Sequence, residues 1–306
     1  MKILWLKDSL CSKQALTGGK AANLSLLAKN YPIPPGFCIT TAAFEAAQTA
    51  GLDLDHLSLT RDDFPQDLYD QIAGAYQKLD ETCGTNPLRV AVRSSAADED
   101  GDQASFAGQH ETYLNVLGIE ALAVSILRCW ASAFSEQAMA YRRSQGYQME
   151  RIHIGVLVQQ MVPADVSLVL FSANPLNHNP NQMVINASWG LGESVVSGSV
   201  TPDVYVLDKS SRLDKSSTTI LEKTISHKTE MTIQTDQGTQ SVKVPRMLQQ
   251  RACLDDDQVK QVAELGKALE TEMGWPVDIE CAFYSNQLYL LQCRPITTLG
   301  KKGILS

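Results

Sequence analysis

Long apolar runs are missing from this 306-residue chain. The longest, such as Ile3 to Leu6 and Val166 to Phe171, fall far short of the ~20 residues a bilayer crossing needs, and no signal-peptide pattern is present. A cytoplasmic protein without a membrane partner is expected. Positive charge is also scarce: 26 Lys and Arg stand against 34 Asp and Glu, a net charge of −8, so no basic half exists to follow a nucleic-acid backbone. Metal-ligand spacing is lacking too. The seven cysteines (Cys11, Cys38, Cys83, Cys129, Cys253, Cys281, Cys293) are an odd number without a CxxC pair, and the five histidines form neither an i, i+4 pair nor an HxH. This argues against zinc and reads the cysteines as small buried residues in a reducing compartment. No repeat and no low-complexity tract occurs, which removes solenoids and propellers. What remains is 44% apolar and 20% charged, enough at this length for a large core divided between two lobes.

Along the chain, Gly18 and Gly19 precede Ala22, Leu24, Leu26 and Leu27 at roughly helical spacing, so a turn feeds a helix there. Pro32, Pro34 and Pro35 end it. Residues 52–67, acidic and containing Pro65, read as an exposed connector. Leu88 to Val92 reads as a core strand opening into a long small-residue loop, Arg93 to Gln109, and a loop of that length beside a core strand points to function. From Ile119 to Arg143 the positions Leu122, Ile126, Leu127, Trp130, Phe134 and Tyr141 recur near a 3.6-residue period, predicting one long helix. Short β-type runs follow at residues 153–162, 166–171, 182–187, 204–207, 218–225 and 240–244. Asp255, Asp256 and Asp257 open a helix that reaches Met273, at the end where its dipole favours them, and are read as a helix start rather than a metal site. The fold class is α+β, with lobes at residues 1–164 and 165–306, the second rich in strand.

Asp278 to Pro295 reads as a hairpin around Ser285, Asn286 and Gln287. A three-residue loop centred on Asn286 sets Glu280 opposite Gln292 and Asp278 opposite Arg294, all on one face, with Ile279, Cys281, Phe283, Tyr289, Leu291 and Cys293 on the other. Two carboxylates, an amide oxygen and a guanidinium suit Mg²⁺ with phosphate. A solvent-facing strand pair with an Asp278–Arg294 ion pair fits the same pattern. Lys20 follows two glycines at a helix start, where backbone N–H groups attract phosphate. The motif GxxxxGK[ST] is absent, and a surface lysine also fits. Arg93, with Ser94, Ser95, Ser105 and Gly108 behind it, suits a flap covering an anion; a plain surface loop is the alternative. Together these elements suggest a nucleotide held between two lobes.

Seven blocks carry a resemblance: GGKAANL (Gly18 to Leu24), PPGFCIT (Pro34 to Thr40), VRSSAADED with ASFAGQHETYLNV (Val92 to Val116), CWASAF with AYR (Cys129 to Arg142), VQQMV (Val158 to Val162), NASWGLGESVVSGSVTPD (Asn186 to Asp203), and DIE with LLQCRP. In this order they resemble the nucleotide-binding domain of the phosphoenolpyruvate synthase, pyruvate phosphate dikinase and rifampin phosphotransferase family. The resemblance implies an ATP-grasp fold, two lobes clasping a nucleotide, with mixed and antiparallel sheets flanked by helices. It further implies that Lys20 and Arg93 bind ATP phosphates, that the flap from Ser94 to Gly108 closes over them, and that Glu280 and Gln292 ligate Mg²⁺. Asp278 and Arg294 would complete the catalytic surface, and Gln160, Met161 and Val162 would meet the adenine.

The chain departs from that pattern in places. Gln137 stands where relatives usually carry Arg, leaving Arg142 as the nearer anion partner, and Leu168 replaces a customary glycine, a bulk expected to alter closure between the lobes. Relatives continue into a swivelling phosphohistidine domain, whereas this sequence ends at Ser306, and His227 lacks the glycine-rich setting of a phosphocarrier. The expected function is a dikinase-like, ATP-dependent phosphotransferase module, moving the β-phosphoryl with AMP formation to a histidine carrier or small-molecule acceptor not present in this sequence: a separate carrier protein, a further part of a longer chain, or a small molecule taken directly. An ATP-grasp ligase that forms an acyl phosphate and releases ADP is the alternative enzyme. A non-catalytic nucleotide-binding regulator is the alternative binding module.

Overall fold

The computed structural model describes residues 1–54, 59–85, 87–96, 112–144, 152–209 and 218–297. The chain divides into two compact units, Met1–Met161 and Val162–Ser306.

The first unit contains β1 (Ile3–Trp5), α1 (Gln14–Leu27), β2 (Gly36–Ile39), α2 (Thr41–Thr49), α3 (Gln66–Cys83), β3 (Arg89–Ala96), β4 (Thr112–Leu117), α4 (Ile119–Ser132), α5 (Glu136–Ser144) and β5 (Ile154–Gln160). Its five strands form one antiparallel sheet, ordered β1-β2-β5-β3-β4. Side-chain alternation divides β3 between two faces. Val90 and Val92 join Val156 and Val158 of β5 in a core with Phe44, Leu68, Ile72, Leu79, Leu122, Ile126 and Trp130, the apolar stripes of α2, α3 and α4. Arg93 and Ser95 point to the other face, the one on which α1 packs.

Four local expectations are corrected here. The strand expected to end at Val92 continues to Ala96, so Arg93, Ser94 and Ser95 are held in a ladder with β5 rather than starting a loop. The single helix expected over residues 119–143 is two, because Ala133 and Phe134 make tight bonds back to Trp130 and Ala131, and the Ser135 hydroxyl then caps Ala138. The connector expected to be exposed is pinned: Thr60 and Asp63 form a capping box and Phe64 stacks on Trp130 with ring centroids 5.6 Å apart. Finally, α1 starts at Gln14, ahead of the glycines, and Gly18 breaks it from within.

The second unit contains β6 (Val166–Phe171), β7 (Gln182–Trp189), α6 (Glu193–Val196), β8 (Asp203–Asp208), β9 (Thr219–Thr224), β10 (Glu230–Thr235), β11 (Gly238–Lys243), α7 (Asp256–Met273), β12 (Val277–Tyr284) and β13 (Gln287–Pro295). Six strands form a sheet ordered β13-β12-β6-β7-β8-β9, and β10 pairs with β11 in a separate ribbon. The sequence pattern did not mark β10. Mixed sheets were also expected; instead every strand pair among the described residues is antiparallel, and the parallel contact is one isolated bridge, Gly190 to Thr232. Helix α7 begins as anticipated, with Asp255 capping it and Gln258 completing the capping box.

The closing hairpin turns through two residues, not three. Ser285 and Asn286 both have positive φ, 48° and 63°, as a tight primed turn requires. The β12–β13 register then shifts between Glu280 and Cys281, and Leu291 is the extra residue on β13. The two departures cancel at the open end. Tyr289 and Leu291, expected in the core, are half-buried, and Leu288 and Leu290 lie there instead with Ile279, Cys281, Phe283 and Cys293. Among the described residues, no helix is long and apolar enough to cross a membrane, and six of the seven free cysteines are buried, Cys83 being half-buried.

Candidate functional site

In the first unit, the break in α1 sets the geometry. Gly18 has φ 78° and ψ 170°, and a Cβ there would lie 1.9 Å from the Ser95 carbonyl oxygen, so glycine alone lets the helix touch β3. The next residues restart the helix against the strand. The Ala21 N–H donates to Ser95 Oγ (3.2 Å), and Lys20 Nζ donates to the Ser94 carbonyl (3.3 Å). Lys20 and Arg93 are both largely buried, at 8% and 7% exposure, so neither is an ordinary surface cation. The structure therefore gathers Lys20, Arg93, Ser94 and Ser95. Thr112 sits directly opposite Arg93 on β4, a neighbour the sequence reading passed over because only strand register reveals it. Ser105 and Gly108 lie outside the described residues.

The segment expected to meet adenine closes this unit. Gln160 and Met161 donate their N–H groups to the carbonyls of Pro35 and Arg89, and Asn115 donates its N–H to the Met161 sulfur (2.9 Å). The Arg89 guanidinium in turn donates to Asn115 Oδ1 at 3.0 Å. On α5, Gln137 is exposed while Arg142 is buried.

In the second unit, the hairpin pairs Asp278 with Arg294 and Glu280 with Gln292, as the sequence analysis expected. Arg294 Nε donates to Asp278 Oδ2 at 2.9 Å, a charge-assisted bond that orients the guanidinium. Asp278 and Gln292 are buried, whereas Glu280 and Arg294 are half-buried. Strand register extends this face: Glu280 pairs with Val169, which pairs with Asn186. Asn186 is thus a further polar member that spacing alone did not disclose. Leu168 is on the opposite, α7-covered face between Cys281 and Ala187 and fills the core there. Burial pushes the Cys281 thiol well above its ordinary range, so it is no nucleophile beside these groups.

Two other features of this unit fall outside the predicted set. Lys228 is fully buried against Asp203, with Nζ 2.5 Å from Oδ1, and Asp203 also accepts the N–H groups of Ser226 (2.9 Å) and Cys253 (2.8 Å). His227 is exposed and bonds to the Gln249 side chain. A cavity of about 600 Å³ opens at the start of α7, lined by Trp189, Lys223 and Arg251, and none of the predicted site residues lines it.

Residues 14–304 match the family model described as pyruvate phosphate dikinase, AMP/ATP-binding domain. A probable phosphoenolpyruvate synthase of Methanocaldococcus jannaschii is 37% identical over 98% of this chain and 27% of its own length. The phosphoenolpyruvate synthase of Pyrococcus furiosus is 35% identical over 98% of this chain and 44% of its own. The rifampicin phosphotransferase of Streptomyces sviceus is 37% identical over 97% and 36%. The chain belongs to the pyruvate phosphate dikinase AMP/ATP-binding domain family, a nucleotide-binding module of the dikinase type, as its seven sequence blocks imply. It spans less than half the length of these relatives.

Proposed function

We propose that this module binds Mg-ATP, with Lys20 and Arg93 as phosphate-binding residues and Glu280 and Gln292 as magnesium-binding residues, and that it transfers a phosphoryl group, the β-phosphoryl with AMP and inorganic phosphate as products, to a histidine carrier or small-molecule acceptor. The lobes are those of an ATP-grasp. The observation that carries this reading is the hairpin face, where two carboxylates, an amide oxygen and a guanidinium occur in register beside one another.

The donor set fits magnesium. Mg²⁺ takes one or two protein oxygens and completes its octahedron with water and phosphate, so Glu280 and Gln292 suffice, and no cluster of three or more His, Cys, Asp or Glu is needed or found among the described residues. When bound, the ion would neutralise phosphate charge. Lys20 and Arg93 hold phosphate oxygens and offset the charge that develops as the bond between the α- and β-phosphates breaks. Arg294, oriented by Asp278, does the same from the hairpin. AMP leaves, the acceptor keeps the β-phosphoryl, and water cleaves the β–γ bond so that the γ-phosphate leaves as inorganic phosphate. Catalysis of this kind is positioning plus fixed charge. At the adenine, the Gln160 and Met161 N–H groups are already committed, so the Val162 N–H is the backbone donor that segment offers.

The test combines product and affinity. Incubation with Mg-ATP and candidate acceptors, followed by nucleotide separation, should yield AMP; ADP would favour the ligase reading, and acceptor-independent binding without turnover the regulatory one. Glu280→Gln and Gln292→Ala are each expected to weaken magnesium-dependent nucleotide binding about tenfold or more, roughly 1.4 kcal/mol, with an unchanged circular dichroism spectrum. Equal affinity in both variants would overturn the metal assignment.

A further inference from the structure

The residue behind Lys20 deserves a role of its own. Ser95 has no exposed surface, and its hydroxyl receives the Ala21 N–H within the first turn after the Gly18 break. That is the geometry of an N-cap supplied by another element: a side-chain oxygen satisfying an N–H that the restarted helix cannot bond internally. The same strand residue supplies the carbonyl on which Gly18 rests, and its neighbour Ser94 supplies the carbonyl bonded to Lys20 Nζ. One dipeptide of β3 therefore meets Gly18, Lys20 and Ala21. Arg93 precedes that dipeptide on the same strand and shares the face of Ser95.

We infer that Ser95 is a positioning residue: it caps the restarted segment of α1 and thereby sets Lys20 relative to Arg93, acting through Lys20 and not on the nucleotide. A hydroxyl with no exposed surface and a committed lone pair is badly placed to touch a phosphate, whereas loss of the cap lets the first turn carrying Lys20 fray. The inference rests on the reading of Lys20 as a phosphate-binding residue.

A double-mutant cycle on the whole chain separates the two ideas, with Mg-ATP affinity read by titration calorimetry. Lys20→Met should weaken binding about tenfold or more, the scale of one charge-assisted bond. Ser95→Ala should weaken it about fivefold, the scale of a lost cap, and should add nothing in the Lys20→Met background. That non-additivity is the readout a merely structural serine would not give. An equal loss in both backgrounds, or none in either, overturns the positioning role while leaving the phosphate role of Lys20 standing. An unaltered affinity in Lys20→Met itself overturns the phosphate role and this inference with it. Should Ser95→Ala lack a cooperative melt, Ser95→Cys, which keeps a side chain of similar shape with a weak acceptor, is carried through the same cycle.

Discussion

Gly18→Ala should be among the most damaging single-methyl additions to the first unit, and its size can be worked from two independent terms. At φ 78° and ψ 170° an L-residue sits in a region occupied almost solely by glycine, which costs about 1–3 kcal/mol. The added Cβ would also fall 1.9 Å from the Ser95 carbonyl oxygen, 2.3 Å from its carbon and 2.4 Å from Oγ, so backbone must move. Overpacking of that kind costs a further ~1–3 kcal/mol. The sum, about 2–6 kcal/mol, corresponds to a melting point lowered by roughly 5–20 °C for a unit of this size. Gly51→Ala is the control: its φ is 92°, yet nothing lies within 4 Å of the new Cβ, so only the backbone term applies, about 1–2 kcal/mol. Differential scanning calorimetry of both variants measures the difference. A Gly18→Ala protein that melts with wild type, or no lower than Gly51→Ala, would refute the claim that close contact between α1 and β3 builds the Lys20 corner.

Two further perturbations test the second unit and the thiols. Lys228→Met leaves the Asp203 carboxylate buried without its ammonium, since both side chains have no exposed surface, and should destabilise by about 3–5 kcal/mol in urea titration; a loss under about 1 kcal/mol would show that the pair is dispensable. The alkaline limb of stability should be steep because burial, with Asp8 adding and the Ser25 hydrogen bond opposing, pushes the Cys11 thiol up to about 11, and burial also raises Cys38 and Cys281. Below pH ~9 these thiols are neutral in both states; above it the unfolded chain releases protons that the native state keeps, so stability falls as pH rises toward 11. Cys11 alone accounts for on the order of 2–3 kcal/mol over that span. Denaturant midpoints measured from pH 8 to 11 should therefore decline more gently in Cys11→Ala, and parallel curves would dismiss the linkage.

Much of the site was legible because it depends on short-range rules. Strand alternation placed Asp278 and Glu280 on one face, and the pairing with Arg294 and Gln292 followed once a hairpin was recognised. That pairing was obtained with a three-residue loop, whereas the chain uses a two-residue turn and a bulge at Leu291; the errors cancel at the open end and show only in Tyr289 and Leu291, which changed places with Leu288 and Leu290. Helix periodicity likewise ran through Ala133 and Phe134 because their apolar spacing continues, while the interruption is made by hydrogen bonds that no spacing records.

By itself the sequence determined the family, the residue types proposed to meet phosphate and metal, the α7 capping box and the polar face of the hairpin, since each is written in neighbours a few residues apart. Tertiary structure alone decided that Gly18 is a contact point rather than a flexible turn, that Ser95 faces the restarted helix, that Thr112 stands beside Arg93 and Asn186 on the Glu280 face, and that Lys228 is sealed against Asp203. These are meetings between segments distant in the chain, and they are set by strand register and by the space left when elements pack.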